Sequence, residues 1–420
     1  MASTFKSIEN TALLVMAAGK VPLIIGTAGQ GKSAMAKNMS KKLGAHYVNI
    51  DCNLLKEGEI GGLPIPEKRT RVDKETGEEI EYTVTEYAIH CKLREIQEYL
   101  DKNPKDGRIL LFFDELNRCE KPVMSELMNL ILNREINGFH LDNRIFMMAA
   151  MNPSGTNKGY ERSTDYAVTD MDAASKNRVI WLNMKLDPAS WLDWATDKSD
   201  VTREVEKFDL HLYDPAEYKT NIESEVVEFI AMNTDLLSTN AEGEDAFATP
   251  RSYQFVSDLL RTYNNNRQYF DDADLTTAIY GCIGTATGTA FLQFNSNNKN
   301  PLIKPEQMWG KDTDKEIKKE WLDKFVKEST IRKKLTMKAT ITFVATRYET
   351  AKEKAKTNKK LKIDKNDVTK LCQLIPLMAV DVQVVMMRII KNDYPDIHML
   401  LIDEPQYVQV FMKASEAAGR

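Results

Sequence analysis

The chain has 420 residues, 42% of them hydrophobic and 28% charged, with 57 Lys and Arg against 62 Asp and Glu for a net charge of −5. That length suits two or three domains with an ample core, and the composition excludes a collagen, a coiled coil or a wholly disordered chain. The negative balance excludes electrostatic nucleic-acid binding by the chain as a whole, and a mean hydropathy of −0.43, with no run near the ~18 apolar residues of a membrane span, excludes a membrane helix.

The opening MASTFKSIEN lacks the charged-then-apolar order of a signal peptide, so a soluble cytoplasmic protein is expected. Five cysteines (Cys52, Cys91, Cys119, Cys282 and Cys372) include no CxxC, which argues against a disulfide framework or a structural zinc site. Residues 4–19 read as an amphipathic helix leading into an apolar strand at 21–25. Gly26-Thr27-Ala28-Gly29-Gln30-Gly31-Lys32-Ser33 follows, a G-x-x-x-x-G-K-[ST] loop, and then a helical stretch to about Leu43. Strand, glycine loop and helix are the setting in which successive backbone N–H groups and a helix dipole cradle phosphates. There Lys32 would reach the β- and γ-phosphates of a nucleotide such as ATP, and the Ser33 hydroxyl would bind Mg²⁺.

A second strand is expected at 46–50, followed by more residues than one crossover helix needs. Part of the excess, residues 71–84, alternates β-formers around Glu75-Thr76-Gly77, a hairpin signal. It is either a functional insertion or a surface ornament. The next strand, 109–113, ends in Asp114-Glu115. Beside a P-loop strand, such a pair lets Asp114 hold Mg²⁺ and Glu115 polarise a water; alone, it would merely cap a helix. A strand at 145–151 ends in Asn152-Pro153, where the amide could orient the water or contact the γ-phosphate, or the pair could start a turn. With a last strand at 178–183, the reading is an α/β parallel-sheet domain. Helices follow at 188–197, 222–237, 250–264 and 273–294, the last holding Gly281, Gly284 and Gly288.

Beyond about residue 298 no motif is apparent. Residues 304–362 hold 18 Lys and Arg and 9 Asp and Glu, a basic stretch open to nucleic acid, an acidic protein surface or plain solvation. Residues 352–362 read as an exposed connection, 368–390 as one packed helix and 399–402 as a short apolar stretch.

These elements in this order resemble the core of AAA+ ATPases over residues 1 to about 298. In that resemblance residues 26–33 are Walker A, Asp114-Glu115 Walker B and Asn152 sensor 1. Residues 247–256 resemble the sensor 2 segment, so Arg251 would contact the γ-phosphate from a helical lid. Residues 171–179 resemble the segment ending in the arginine finger, so Arg178 would serve the neighbouring subunit's nucleotide in trans. The residue after it is Val179 where the family usually has Phe, which leaves Arg162 as a rival finger. Asp114-Glu115-Leu116-Asn117-Arg118 is similar to the hallmark of the MoxR-type branch, whose presensor hairpin residues 133–144 also resemble. Residues 60–64 with the tract to about 90 resemble its insertion, and 191–195 the start of its lid.

The resemblance implies three parts: an AAA+ core at 1–186, a helical lid at 187–298 and a helical extension at 299–420. It further implies a Mg-dependent ATPase working as a ring, hexameric in related proteins, that remodels a partner protein, often of von Willebrand factor A type. The alternative is a nucleic-acid-linked motor, or the NTPase subunit of a restriction or antiphage system, acting through 304–362. An inert nucleotide-binding scaffold is a third reading.

Overall fold

The computed structural model describes residues 5–73, 79–157, 160, 167–185, 187–196, 207–218, 220–297, 302–310, 316–357 and 366–418. They form two compact units, one of Met1–Val226 with Thr234–Phe294 and one of Val227–Asn233 with Asn295–Arg420. Among them no helix is long and apolar enough to cross a membrane.

The first unit is built on five parallel strands in the order β2 (His46–Asp51), β5 (Ile109–Asp114), β8 (Ile145–Met151), β1 (Pro22–Ile25), β9 (Ile180–Asn183). The inner strands are covered on both faces, which is why they read as unbroken apolar runs. Pairing registers align Ile25 with Met151 and Phe113 with Ala149. The residues just after β1 and β8 therefore emerge side by side, next to the last residue of β5, at the carboxyl edge of the sheet.

Helices α2 (Lys32–Lys42), α3 (Cys91–Lys102) and α4 (Lys121–Asn133) follow β1, precede β5 and follow β5 respectively. Helix α1 (Phe5–Ala17) departs from the amphipathic reading. Residues 11–17 are all buried, because α1 lies between β8 and β9 on one side and helices Pro250–Asn265 and Asp272–Ile283 on the other. A helix covered by two layers needs no polar face.

The expected hairpin is present and longer than predicted, with β3 (Pro64–Val72) antiparallel to β4 (Glu79–Tyr87); its turn, 74–78, falls outside the described residues. The ribbon's root depends on Gly62, whose φ is +84° and whose added Cβ would lie 1.9 Å from the Ala88 carbonyl oxygen. A tighter hairpin, β6 (Glu135–Ile136) with β7 (Phe139–His140), turns through Asn137 and Gly138, both at positive φ. The Asn137 amide donates to the Gly61 carbonyl at 2.7 Å, tying the two hairpins together.

Two of the helices expected between β9 and residue 298 are broken. The 273–294 helix divides into Asp272–Ile283 and Thr285–Asn297 at Gly284, whose φ is 78°. Gly281 serves closeness instead, since a Cβ there would meet the Trp181 carbonyl of β9 at 2.4 Å. The 222–237 helix ends at Met232 and resumes as a 3₁₀ turn, Thr234–Leu237.

The second unit is helical and packs Trp309, Phe325, Met337, Leu371, Met386 and Ile390 into its own core. The expected 368–390 helix is interrupted by Pro376 in a 3₁₀ turn, Ile375–Leu377, between helices Asn366–Leu374 and Val380–Asp393. Residues 352–357, read as an exposed connection, instead complete the long helix Thr330–Thr357; 358–365 lie outside the described residues.

Candidate nucleotide site

Three strand ends supply the chemistry. After β1 the chain turns through Gly29 and Gly31 at φ 77° and 88°, conformations that side chains with a Cβ rarely adopt. Gly31 is the N-cap of α2, so Lys32 begins the helix and the loop's backbone N–H groups lie at its positive end.

The Lys32 ammonium is buried against the loop. It donates to the Gly26 carbonyl at 2.6 Å, the Thr27 carbonyl at 3.0 Å and Asn152 Oδ1 at 3.0 Å. Burial lowers its pKa, opposed by the carboxylates of Asp114 and Glu115 and reinforced by Arg118. All three partners are neutral oxygens, which a polyanion would replace with a gain in Coulomb energy.

Ser33 Oγ donates to Asp114 Oδ2 at 2.7 Å. A hydroxyl and a carboxylate so close offer the hard oxygen donors that Mg²⁺ prefers. The other Asp114 oxygen accepts from the Glu115 N–H at 3.0 Å. Glu115 has left-handed backbone angles, φ 52° and ψ 42°, a strained state for a residue with a side chain. Its Oε2 lies 3.5 Å from Arg118 Nε, with each side chain about one-third exposed, so its carboxylate stays accessible.

Asn117, to which sequence reasoning gave no role of its own, is 2% exposed. Its Nδ2 donates to the Asn152 carbonyl at 2.8 Å, and its own carbonyl accepts from Thr169 N–H at 2.7 Å. Its Oδ1 is buried without a hydrogen-bond partner. Asn117 thus joins the Asp114-Glu115 turn, the end of β8 and the segment running toward Arg178. Only its place within the Asp-Glu-Leu-Asn-Arg run hinted at this.

The structure brings together residues 26–33, Asp114, Glu115 and Asn152. Among the described residues, no hydrogen bond or ion pair joins Arg178 or Arg251 to that cluster. Arg178 follows the short helix Ala173–Lys176, and its Nε is buried without a hydrogen-bond partner. The neighbouring Val179 is 3% exposed and belongs to the core. Arg251 stands exposed on the first turn of Pro250–Asn265, beside the cap residue Thr249, whose hydroxyl bonds Asn177 Oδ1 at 2.9 Å. Arg162 lies outside the described residues.

Residues 22–162 match the model of the family AAA, "ATPase family associated with various cellular activities", and this stretch is an AAA domain. Among solved structures, a "putative ATPase" from Cytophaga hutchinsonii ATCC 33406 is 15% identical, with 67% of this chain and 82% of that chain covered and a TM-score of 0.39. No curated protein matches the sequence.

Proposed function

We propose that the chain is an ATP-hydrolysing AAA+ protein remodeller of the MoxR type, working as a ring, hexameric as in related proteins, on a partner protein. The supporting observation is the meeting of Lys32, Ser33, Asp114 and Asn152 within hydrogen-bond distance at the carboxyl ends of β1, β5 and β8. In this reading the Lys32 ammonium exchanges its loop oxygens for the β- and γ-phosphates. Ser33 and Asp114 would hold Mg²⁺, which when bound neutralises phosphate charge. Glu115 orients the attacking water in line with the leaving oxygen, and Asn152 fixes the water or the γ-phosphate. Catalysis here is positioning and charge stabilisation. Arg251 approaches the γ-phosphate from the helices after β9, and Arg178 is offered to the next copy's nucleotide, which requires a heterologous interface. A partner of von Willebrand factor A type is the expectation carried by the branch resemblance.

Mixing inactive copies tests the trans finger. Lys32→Ala copies bind no nucleotide yet retain Arg178; Arg178→Ala copies bind nucleotide but lack the finger. Combined, they should recover part of the turnover that neither shows alone. No recovery, with a particle mass that ATP leaves unchanged, would contradict the ring reading.

A further inference from the structure

Among the described residues of the first unit, the β3–β4 ribbon is exposed along almost its whole length. Every residue of β3 is exposed, and so is every residue of β4 except the half-buried Val84. A two-stranded ribbon standing alone is marginal in water, and its outer edges are open templates for another strand. This ribbon is nevertheless firmly rooted. Gly61 is held by Asn137, and the Gly58 N–H donates to Glu126 at 3.3 Å.

Its two edges differ in charge. β3 carries Lys68, Arg69 and Arg71 against Glu67, whereas β4 carries Glu79, Glu81 and Glu86 with no basic residue. Some of this is matched internally: Arg69 pairs with Glu86, and Lys68 lies 3.8 Å from Glu81. Arg71 and Glu79 have no ion-pair partner among the described residues; the Arg71 guanidinium only overlies the Tyr82 ring at 5.9 Å.

The backbone distinguishes the two halves of β3. Ala88 N–H donates to the Leu63 carbonyl at 3.0 Å, so the 63–88 pair bonds inward and hydrogen bonding alternates from there along the register. Pro64, Pro66, Lys68, Thr70 and Val72 therefore face outward. The two prolines have no N–H to offer, which blunts the edge near its root. From Lys68 to Val72 the edge is competent to pair, and there the basic residues gather, opposite Glu79 and Glu81 on the other strand.

We infer that this edge is an interface between copies: residues 68–72 of one copy pair with the acidic outer edge of β4 in the next, linking the ribbons into a continuous antiparallel sheet. The inference rests on the ring reading above. In a cyclic ring all ribbons point the same way, so β3 of one copy runs antiparallel to β4 of its neighbour, and closure removes every free edge. The exposed Val72, Ile80 and Tyr82 gain cover in the same step.

The test uses full-length protein and sedimentation velocity with a slowly hydrolysed ATP analogue and Mg²⁺. One variant carries Lys68→Glu, Arg69→Glu and Arg71→Glu; another carries Glu79→Lys and Glu81→Lys. Each alone should need at least about tenfold more protein to assemble, because like charges then face each other between copies. An equimolar mixture should assemble near the parent's concentration. Mixing repairs no pair inside any ribbon, so recovery reports contact between copies. Thr70→Pro, which removes an outward N–H and leaves every charge, should also weaken assembly. Unchanged melting temperatures for all variants establish that they fold. Variants that assemble like the parent, losing only partner binding, would overturn the inference and leave the ring intact. A mixture that stays apart would overturn it too. A parent that stays single-copy with nucleotide would remove the ring reading itself.

Discussion

Two buried cations, one in each unit, show what separates a site from a brace. Lys32 sits on two carbonyls and one amide oxygen, and burial lowers its pKa. Arg332 sits on the carboxylates of Glu228 and Glu328; burial opposes its charge, yet the two carboxylates prevail and hold its pKa above the ordinary value. A buried cation already paired with carboxylates is a structural group, and removing it strands its partners. A buried cation resting on neutral oxygens has Coulomb energy still to gain from a polyanion.

Substitutions can break this contrast, and Lys32 should give the largest effect. Lys32→Ala should abolish measurable turnover, a loss of at least about 10³-fold given the charge stabilisation at stake, while the neutral acceptors it leaves cost only about 1–3 kcal/mol of stability. Phosphate release and a melting curve read the two sides. Arg332→Met should do the reverse. It takes their shared cation from the buried Glu228 and the half-buried Glu328 carboxylates, costing about 3–5 kcal/mol of stability, with nucleotide binding by the first unit retained in fluorescence titration below the transition.

Asn117→Ala sharpens the account of the Asp114-Glu115 turn. It should lower kcat about tenfold with little change in nucleotide affinity, at about 1 kcal/mol of stability for the lost hydrogen bond. Loss of affinity instead would place Asn117 in binding rather than positioning.

The smallest effect concerns a buried acid far from catalysis. Burial raises Asp274 to about 6, although it accepts from the Asp271 N–H and the Thr11 hydroxyl. The folded chain thus holds this proton more tightly than the unfolded chain, where the pKa is ~3.9. Its contribution is favourable below pH ~4 and is lost as pH rises through about 6. Asp274→Asn should therefore stabilise the protein near pH 7.5 by on the order of 1 kcal/mol, and the gain should fade as pH falls from 6 to 4 in melting curves.

Much of the fold was legible because doubly covered strands are apolar throughout and each ends in a chemically distinctive residue. Residues 26–33, 114–115 and 152 stood out through such endings. What was less legible depended on distant layers. The burial of α1 follows from helices some 250 residues later in the chain, and the Glu228–Arg332 pair spans 104 positions. Gly284 and Pro376 break helices that apolar periodicity joined, since a helical pattern does not record a positive φ or a missing N–H. Asn117 escaped notice because an asparagine between Leu116 and Arg118 has no periodicity; only its two backbone-directed bonds reveal it.

The central claim is hydrolysis of ATP at the edge of this sheet, with Glu115 orienting the water. Its most direct test is phosphate release measured beside binding of a fluorescent ATP analogue, with Mg²⁺, for the parent and for Glu115→Gln. The account predicts turnover by the parent, a loss of at least about 100-fold in Glu115→Gln, and equal or tighter nucleotide binding by the variant. Equal phosphate release by both proteins, or a parent that binds nucleotide and never turns it over, would contradict it.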